Sequence, residues 1–216
     1  MKRATLLLSM AAAWAACRPD PGTPTYPDTT GGSGDSGGSG LPQGPDPYEP
    51  GEDRLGVGLY YESGLSELIE INDVDSHYYI YSATYTESVD LVDVVEGRES
   101  AVIEHGSAGW FGGGITWDLP RDLSAWTTLN VSLRSGDASF GGLDLHLTGG
   151  GTEAIVAAAD YGFTADGQWH FIQIPLADFE AGGADLSAVT GPFVFIGDGG
   201  AEGDTLKIDN LYYTQD

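Results

Sequence analysis

The chain has 216 residues, with 8 Lys and Arg against 33 Asp and Glu, a formal charge of -25 and a single cysteine. A surface this acidic repels phosphate backbones and anionic lipid, which excludes nucleic-acid binding through a basic patch, and it suits cations and neutral polymers. One cysteine also rules out a disulfide within the chain.

Residues 1–17 open on Met1-Lys2-Arg3 and run apolar from Ala4 to Ala16, too short to span a bilayer and the right length for a signal-peptide core. Cys17 follows at once. A lone cysteine after Ala15-Ala16 resembles the bacterial lipoprotein processing site, although Trp14 stands where that pattern prefers leucine. The resemblance implies a lipid on Cys17, and Arg18 in place of the aspartate of inner-membrane retention points to the outer membrane or cell surface. The alternative is an ordinary secretory signal cleaved nearby, and export follows either way.

Residues 18–53 are Pro, Gly, Ser, Thr and Asp with little to bury, including GGSGDSGGSG from Gly31 to Gly40. They are expected to be a disordered tether, holding the following domain about 30 to 35 Å from its anchor on average. Residues 54–216 form the globular part, with 5 Lys and Arg against 26 Asp and Glu.

That part reads as strands. GVGLYYES is a strand ending at Glu62, and YYIYSATYT from Tyr78 to Thr86 puts Tyr79, Tyr81 and Tyr85 on one strand face. After the glycine-rich GWFGGGITWDLP, apolar residues alternate through Leu129, Val131 and Leu133, and again through Leu143, Leu145 and Leu147. A period of two is that of a half-buried strand. Ala177 to Ala181, after Pro175, is the best candidate for a short helix. Repeated short strands cut by glycine and aspartate turns predict an all-β fold, a sandwich or jelly roll of two antiparallel sheets.

The order DLSAWTTLNVSLRS, GQWHFIQIPLADFE, DLSAVTGPFVFIGDG and LKIDNLYYTQD resembles the galactose-binding-like jelly-roll carbohydrate-binding modules found beside bacterial glycoside hydrolases. The resemblance covers about Val57 to Tyr213. It implies a non-catalytic domain that holds a polysaccharide or other glycan. It also implies a structural calcium, joining Glu62 of the first strand, Glu96 or Glu99 in the turn VVEGRES, and Asp209 of the last strand. In this family aromatics at the positions of Trp126 and Trp169 serve packing.

Sugars are bound by flat aromatic rings flanked by hydrogen-bonding side chains. If the leucines above face the core, Asn130, Ser132, Arg134, Asp144, His146 and Thr148 form one polar sheet face. Arg134, Asp144 and His146 are its candidate ligand contacts, and Tyr79, Tyr81, Tyr85, Trp110 and Trp117 are the aromatics that could join them. Catalysis is not expected. Glu70 and Asp73 in ELIEINDVD are similar in composition to the paired carboxylates of laminarinase-like hydrolases, but three residues apart they point to opposite faces of a strand. A reading of another class keeps the jelly roll as a scaffold: a surface adhesion or assembly lipoprotein contacting a cell-surface protein. Loop GDGGAEGD, with Asp198, Glu202 and Asp204, reads as a solvated hairpin.

Overall fold

In the computed structural model, residues 54–57, 68–69 and 75–215 are described. Cys17, Glu62, Glu70 and Asp73 lie outside them, as do the signal peptide and tether expected over residues 1–53. Twelve strands and one short helix follow in order: β1 (Arg54–Val57), β2 (Leu68–Ile69), β3 (Ser76–Ile80), β4 (Tyr85–Asp90), β5 (Ser100–His105), β6 (Trp110–Trp117), β7 (Thr128–Arg134), β8 (Leu143–Gly149), β9 (Thr152–Ala157), β10 (Trp169–Pro175), α1 (Leu176–Ala181), β11 (Val189–Asp198) and β12 (Thr205–Thr214).

Two sheets form the sandwich. Sheet A has the order β10-β7-β12-β1-β2, with β5 also on β12 and β4 on β5; sheet B has the order β3-β6-β11-β8-β9. Every pairing is antiparallel except the short one between β1 and β2. The core lies between the inner faces. Leu129, Val131, Leu133, Ile172, Ile174 and Ile208 come from sheet A, and Phe111, Ile115, Leu143, Leu145, Leu147, Phe193 and Phe195 from sheet B, all fully buried. The two leucine triplets therefore both face inward, as their alternation predicts.

Two irregularities matter. Pro192 has no N–H to give to a ladder, and the register between β11 and β8 shifts on either side of Gly191. The Pro192 carbonyl instead accepts the Tyr213 hydroxyl from the opposite sheet. On β12 the pairing with β7 slips between Asp209 and Tyr212, with Asn210 in the left-handed region at φ 56°. The first half of β12 pairs with β5 and the second half with β1, so Asp209 falls at the break between them.

The sandwich corrects three expectations. Strand β3 stops at Ile80, because Ser82 and Ala83 take positive φ of 48° and 52°; Tyr85 then starts β4 in the other sheet, so the three tyrosines do not share a strand. Strands β7 and β8 belong to different sheets. Asn130, Ser132 and Arg134 thus lie on the opposite side of the molecule from Asp144, His146 and Thr148, and they form no common face. Finally, the turn after β11 leads across to β12 in the other sheet and is not a hairpin within one sheet.

Candidate functional site

The outer face of sheet A is closed by the chain itself. Its registers place Trp169, Arg134 and Lys207 in one row. The loop after β4 comes down on that row: Asp93 accepts from Trp169 Nε1 at 2.8 Å and pairs with Arg134 at 2.5 Å and Lys207 Nζ at 2.5 Å. Lys207 also reaches Asp90 at 2.7 Å. Two residues further on, the N–H groups of Val95 and Glu96 donate to Asp209 Oδ2 at 2.7 and 3.1 Å. Arg134, expected as a ligand contact, is spent on this internal ion pair, and Trp169 packs under the loop on this outer face and not between the sheets.

The outer face of sheet B has a different character. Its central row runs Tyr79, Gly114, Val194, His146, Ile155 across all five strands. The next row holds Gly112, Ile196, Asp144 and Ala157, and beyond it Trp110 lies beside Asp198. Glu153 neighbours Thr148 at the outer strand.

Three aromatic rings line one side. Tyr79 and Tyr81 meet edge-to-face at 4.9 Å, their hydroxyls 3.3 Å apart, and Tyr81 lies 5.9 Å from Trp110. Trp110 is 36% exposed. Gly112 is what lets the rings gather: a Cβ there would come within 3.1 to 3.2 Å of Ile196, Trp110 and Tyr81. With no side chain at Gly112, the Trp110, Tyr81 and Ile196 side chains close over its backbone, and Gly112, Gly114, Val194 and His146 lie buried between the rings and the exposed Ile155 and Glu153, as the floor of a shallow trough.

The rest of the trough is polar and acidic. Burial, then the bond to Tyr81, pushes the Tyr79 phenol well above its ordinary pKa, and the Glu153 carboxylate adds to the shift from the far edge of the sheet. His146 is 4% exposed. Its Nδ1 lies 3.0 Å from Glu153 Oε1 without hydrogen-bond geometry, and neither ring nitrogen has a hydrogen-bond partner among the described residues. A buried ring nitrogen without a partner carries a desolvation cost that an incoming hydroxyl relieves.

Of the expected ligand contacts, the structure brings together Tyr79, Tyr81, Trp110, Asp144 and His146. Tyr85 and Trp117 are not among them, since both are buried in the core. Tyr85 bonds the Tyr78 hydroxyl, and Gly113 makes room for its phenol. Trp117 points inward because it is an odd step from Trp110 on β6, and Arg121 caps its ring at 4.6 Å. Sequence reading missed Glu153, Val194 and Ile196. The alternation in TEAIVA and PFVFIGD marks their face, but which strands lie side by side is not written there.

Of the expected calcium ligands, Asp209 and Glu96 are brought together. Asp209 is 1% exposed, and among the described residues its hydrogen-bond donors are the backbone N–H groups of Val95, Glu96 and Asn210, with no cationic side chain bonded to it. Burial raises its pKa to about 7, and the Glu96 charge pushes the same way. Glu99 is half-buried in the same turn. Among the described residues no three His, Cys, Asp or Glu side chains form a group able to hold a metal.

No family model matches the sequence, and no curated protein matches it. Solved structures do. A family 30 carbohydrate-binding module superposes with a TM-score of 0.52 at 17% identity, over 74% of this chain and 98% of its own. The family 30 module of a cellulosomal cellulase of Clostridium thermocellum does so with 0.50 at 18% identity, over 68% and 95%. The fold is that of a carbohydrate-binding module. A family 11 module from Clostridium thermocellum, solved with a β-1,3-1,4-mixed-linked tetrasaccharide, is also similar, with a TM-score of 0.44 at 12% identity over 66% of this chain and 90% of its own. At identities of 17% and 18% the family 30 likenesses show the jelly-roll β-sandwich fold, which agrees with the expected one.

Proposed function

We propose that the chain is a non-catalytic module that holds a polysaccharide in the trough on the outer face of sheet B. The observation that carries this reading is the trio Tyr79, Tyr81 and Trp110 beside side-chain-free Gly112, facing Asp144, His146 and Glu153. Rings cover the apolar face of a sugar, and the polar side chains bond its hydroxyls. The four histidines have separate partners, Asp118, Ala201, Glu153 and Asp166.

The test is retention on immobilised polysaccharides. Trp110→Ala is expected to weaken binding about tenfold, since a stacked ring contributes about 1.5 kcal/mol beyond its area. Adding Gly112→Val, whose side chain pushes Tyr81 and Ile196 off the strand, is expected to remove the remainder. Because Trp110 is partly exposed, circular dichroism and melting temperature should stay close to the parent for Trp110→Ala. Unchanged retention in both variants on a glycan the parent holds would move the site elsewhere.

The setting we propose is display: a lipid on Cys17 anchors the chain to the outer membrane or cell surface, and residues 18–53 tether the module outward. A second reading, a protein-contact scaffold on the cell surface, is favoured by one feature. Leu91 and Val92, at the rim of the loop over sheet A, are 68% and 84% exposed.

A structural calcium is also proposed. A buried carboxylate that no cation partners, beside the Glu96 charge, is an environment that favours a bound cation. Asp209, Glu96 or Glu99, and Glu62 from outside the described residues would hold it, and the ion would supply charge neutralisation between the last strand and the loop. In a chelator the melting temperature is expected to fall at pH 8 and to change little at pH 5, where protons replace the ion. No chelator effect at pH 8 would remove calcium from the account.

A further inference from the structure

The charges of the module are divided between its two faces. Arg54, Arg134 and Lys207 project from the outer face of sheet A, where Arg54 lies over the Tyr212 ring at 4.5 Å and the other two pair with Asp93. Arg98 lies in the loop that joins β4 and β5 of sheet A, and Arg121 lies beyond the end of β6, paired with Asp75 at 2.8 Å. These are all the Lys and Arg of residues 54–216. None projects into the trough on sheet B, whose ionic side chains are Asp144, Glu153 and Asp198.

Asp144 and Asp198 have no ion-pair partner among the described residues, and the buried His146 Nε2 in the same trough has no hydrogen-bond partner. A neutral sugar leaves these carboxylates uncompensated. An anionic one, a uronic acid or a sulfated sugar, meets repulsion from them and from the excess of 26 acidic over 5 basic residues around it.

Resting on the carbohydrate-binding reading, we propose that the trough selects a glycan bearing protonated amines, a polymer rich in glucosamine that is not acetylated. An ammonium group placed between Trp110 or Tyr81 and Asp144 has a ring face on one side and a carboxylate on the other. From Gly112 to Asp144 is two strand spacings, about 10 Å. One sugar stacked on the rings therefore directs its substituents at Asp144, and a neighbouring sugar lying along β8 passes over His146 toward Glu153. Desolvation in the trough strengthens each ion pair relative to one on an open surface, and the negative field of the whole module raises the local concentration of a polycation.

The experiment uses the full chain and three matrices, chitosan beads, chitin beads and mixed-linked β-glucan, at mildly acidic pH and at low and high salt. Chitosan and chitin differ by acetylation of the amine, so the pair isolates the charge. Retention on chitosan is expected to exceed that on chitin about tenfold, the effect of one well-placed ion pair, and to weaken as salt rises. Two double variants of equal charge separate the trough from the general field. Asp144→Asn with Glu153→Gln should cancel the preference. Glu104→Gln with Glu202→Gln, both exposed and away from the trough, should leave it.

Equal loss from both pairs would assign the effect to bulk acidity and overturn the proposal. Equal retention on chitin or β-glucan and chitosan would overturn it too, while leaving carbohydrate binding intact. No retention on any of the three would overturn the proposal together with these glycans as ligands. Retention of polylysine but not of chitosan would replace the glycan with a cationic peptide.

Discussion

Asp93→Ala is expected to destabilise the module by about 2 to 3 kcal/mol and to lower its melting temperature by roughly 5 to 10 °C. The carboxylate is the shared acceptor for Arg134, Lys207 and Trp169 Nε1, so its removal strands the Arg134 guanidinium and the indole donor and leaves Lys207 with Asp90 alone. Breaking a fully buried ion pair costs more. Here the side chains of Asp93, Lys207 and Arg134 keep 14%, 21% and 30% of their exposure, and water recovers part of the loss. Asp93→Asn should cost less, because one amide oxygen can still accept from Trp169. Denaturant and thermal unfolding measure the difference, and a shift below 2 °C for the alanine variant would show the network to be dispensable. On the proposed carbohydrate-binding reading, glycan retention by the folded variant should equal that of the parent, since the network lies on the face opposite the trough.

The second large effect is a dependence of stability on pH. Burial raises the Asp209 carboxyl to about 7, against the bonds from Val95, Glu96 and Asn210, and burial likewise raises Glu87 to about 7 against a bond from Tyr78. In the unfolded chain both groups titrate near 4. The folded state therefore binds more protons between pH 4 and 7, and stability is highest at the low end of that window and declines as pH rises through 7. Asp90 has the opposite sign. Its bond to Lys207, then that to Val92, lowers it to about 2, so its contribution is present above about pH 4 and is lost as pH falls toward 2.

In calcium-free buffer the melting temperature should accordingly peak near pH 4 to 5 and stand roughly 5 to 10 °C lower at pH 8. Asp209→Asn should flatten the slope between pH 5 and 8. At pH 5 it should also be less stable than the parent, because its amide meets the N–H groups that now donate to a carboxyl oxygen. A flat profile for the parent would mean that the Asp209 charge is compensated, and a profile flattened only by added calcium would identify the compensating ion.

These expectations come from two levels of the molecule. Alternation at Leu129 to Leu133 and Leu143 to Leu147 assigned inner and outer faces correctly, because side chains on a strand alternate whatever the strand pairs with. The acid excess, the single cysteine and the order of strand motifs were likewise legible from the chain alone.

Face membership within one strand is local, but adjacency of strands is not. Placing Arg134 beside His146 required β7 and β8 to share a sheet, and nothing in either strand's alternation says that the chain crosses between them. The same holds for Tyr85, carried into the core of the other sheet by two left-handed residues that neither glycine nor asparagine announces. The trough itself is a product of five strands far apart in sequence, with Tyr79 and Glu153 on its two edge strands. The sequence by itself determined the kind of fold, the sign of its charge and the inward face of its principal strands. Tertiary structure alone decided which outer face its own loop closes and which one gathers rings, glycine and carboxylates, because that depends on long-range pairing rather than on residue periodicity.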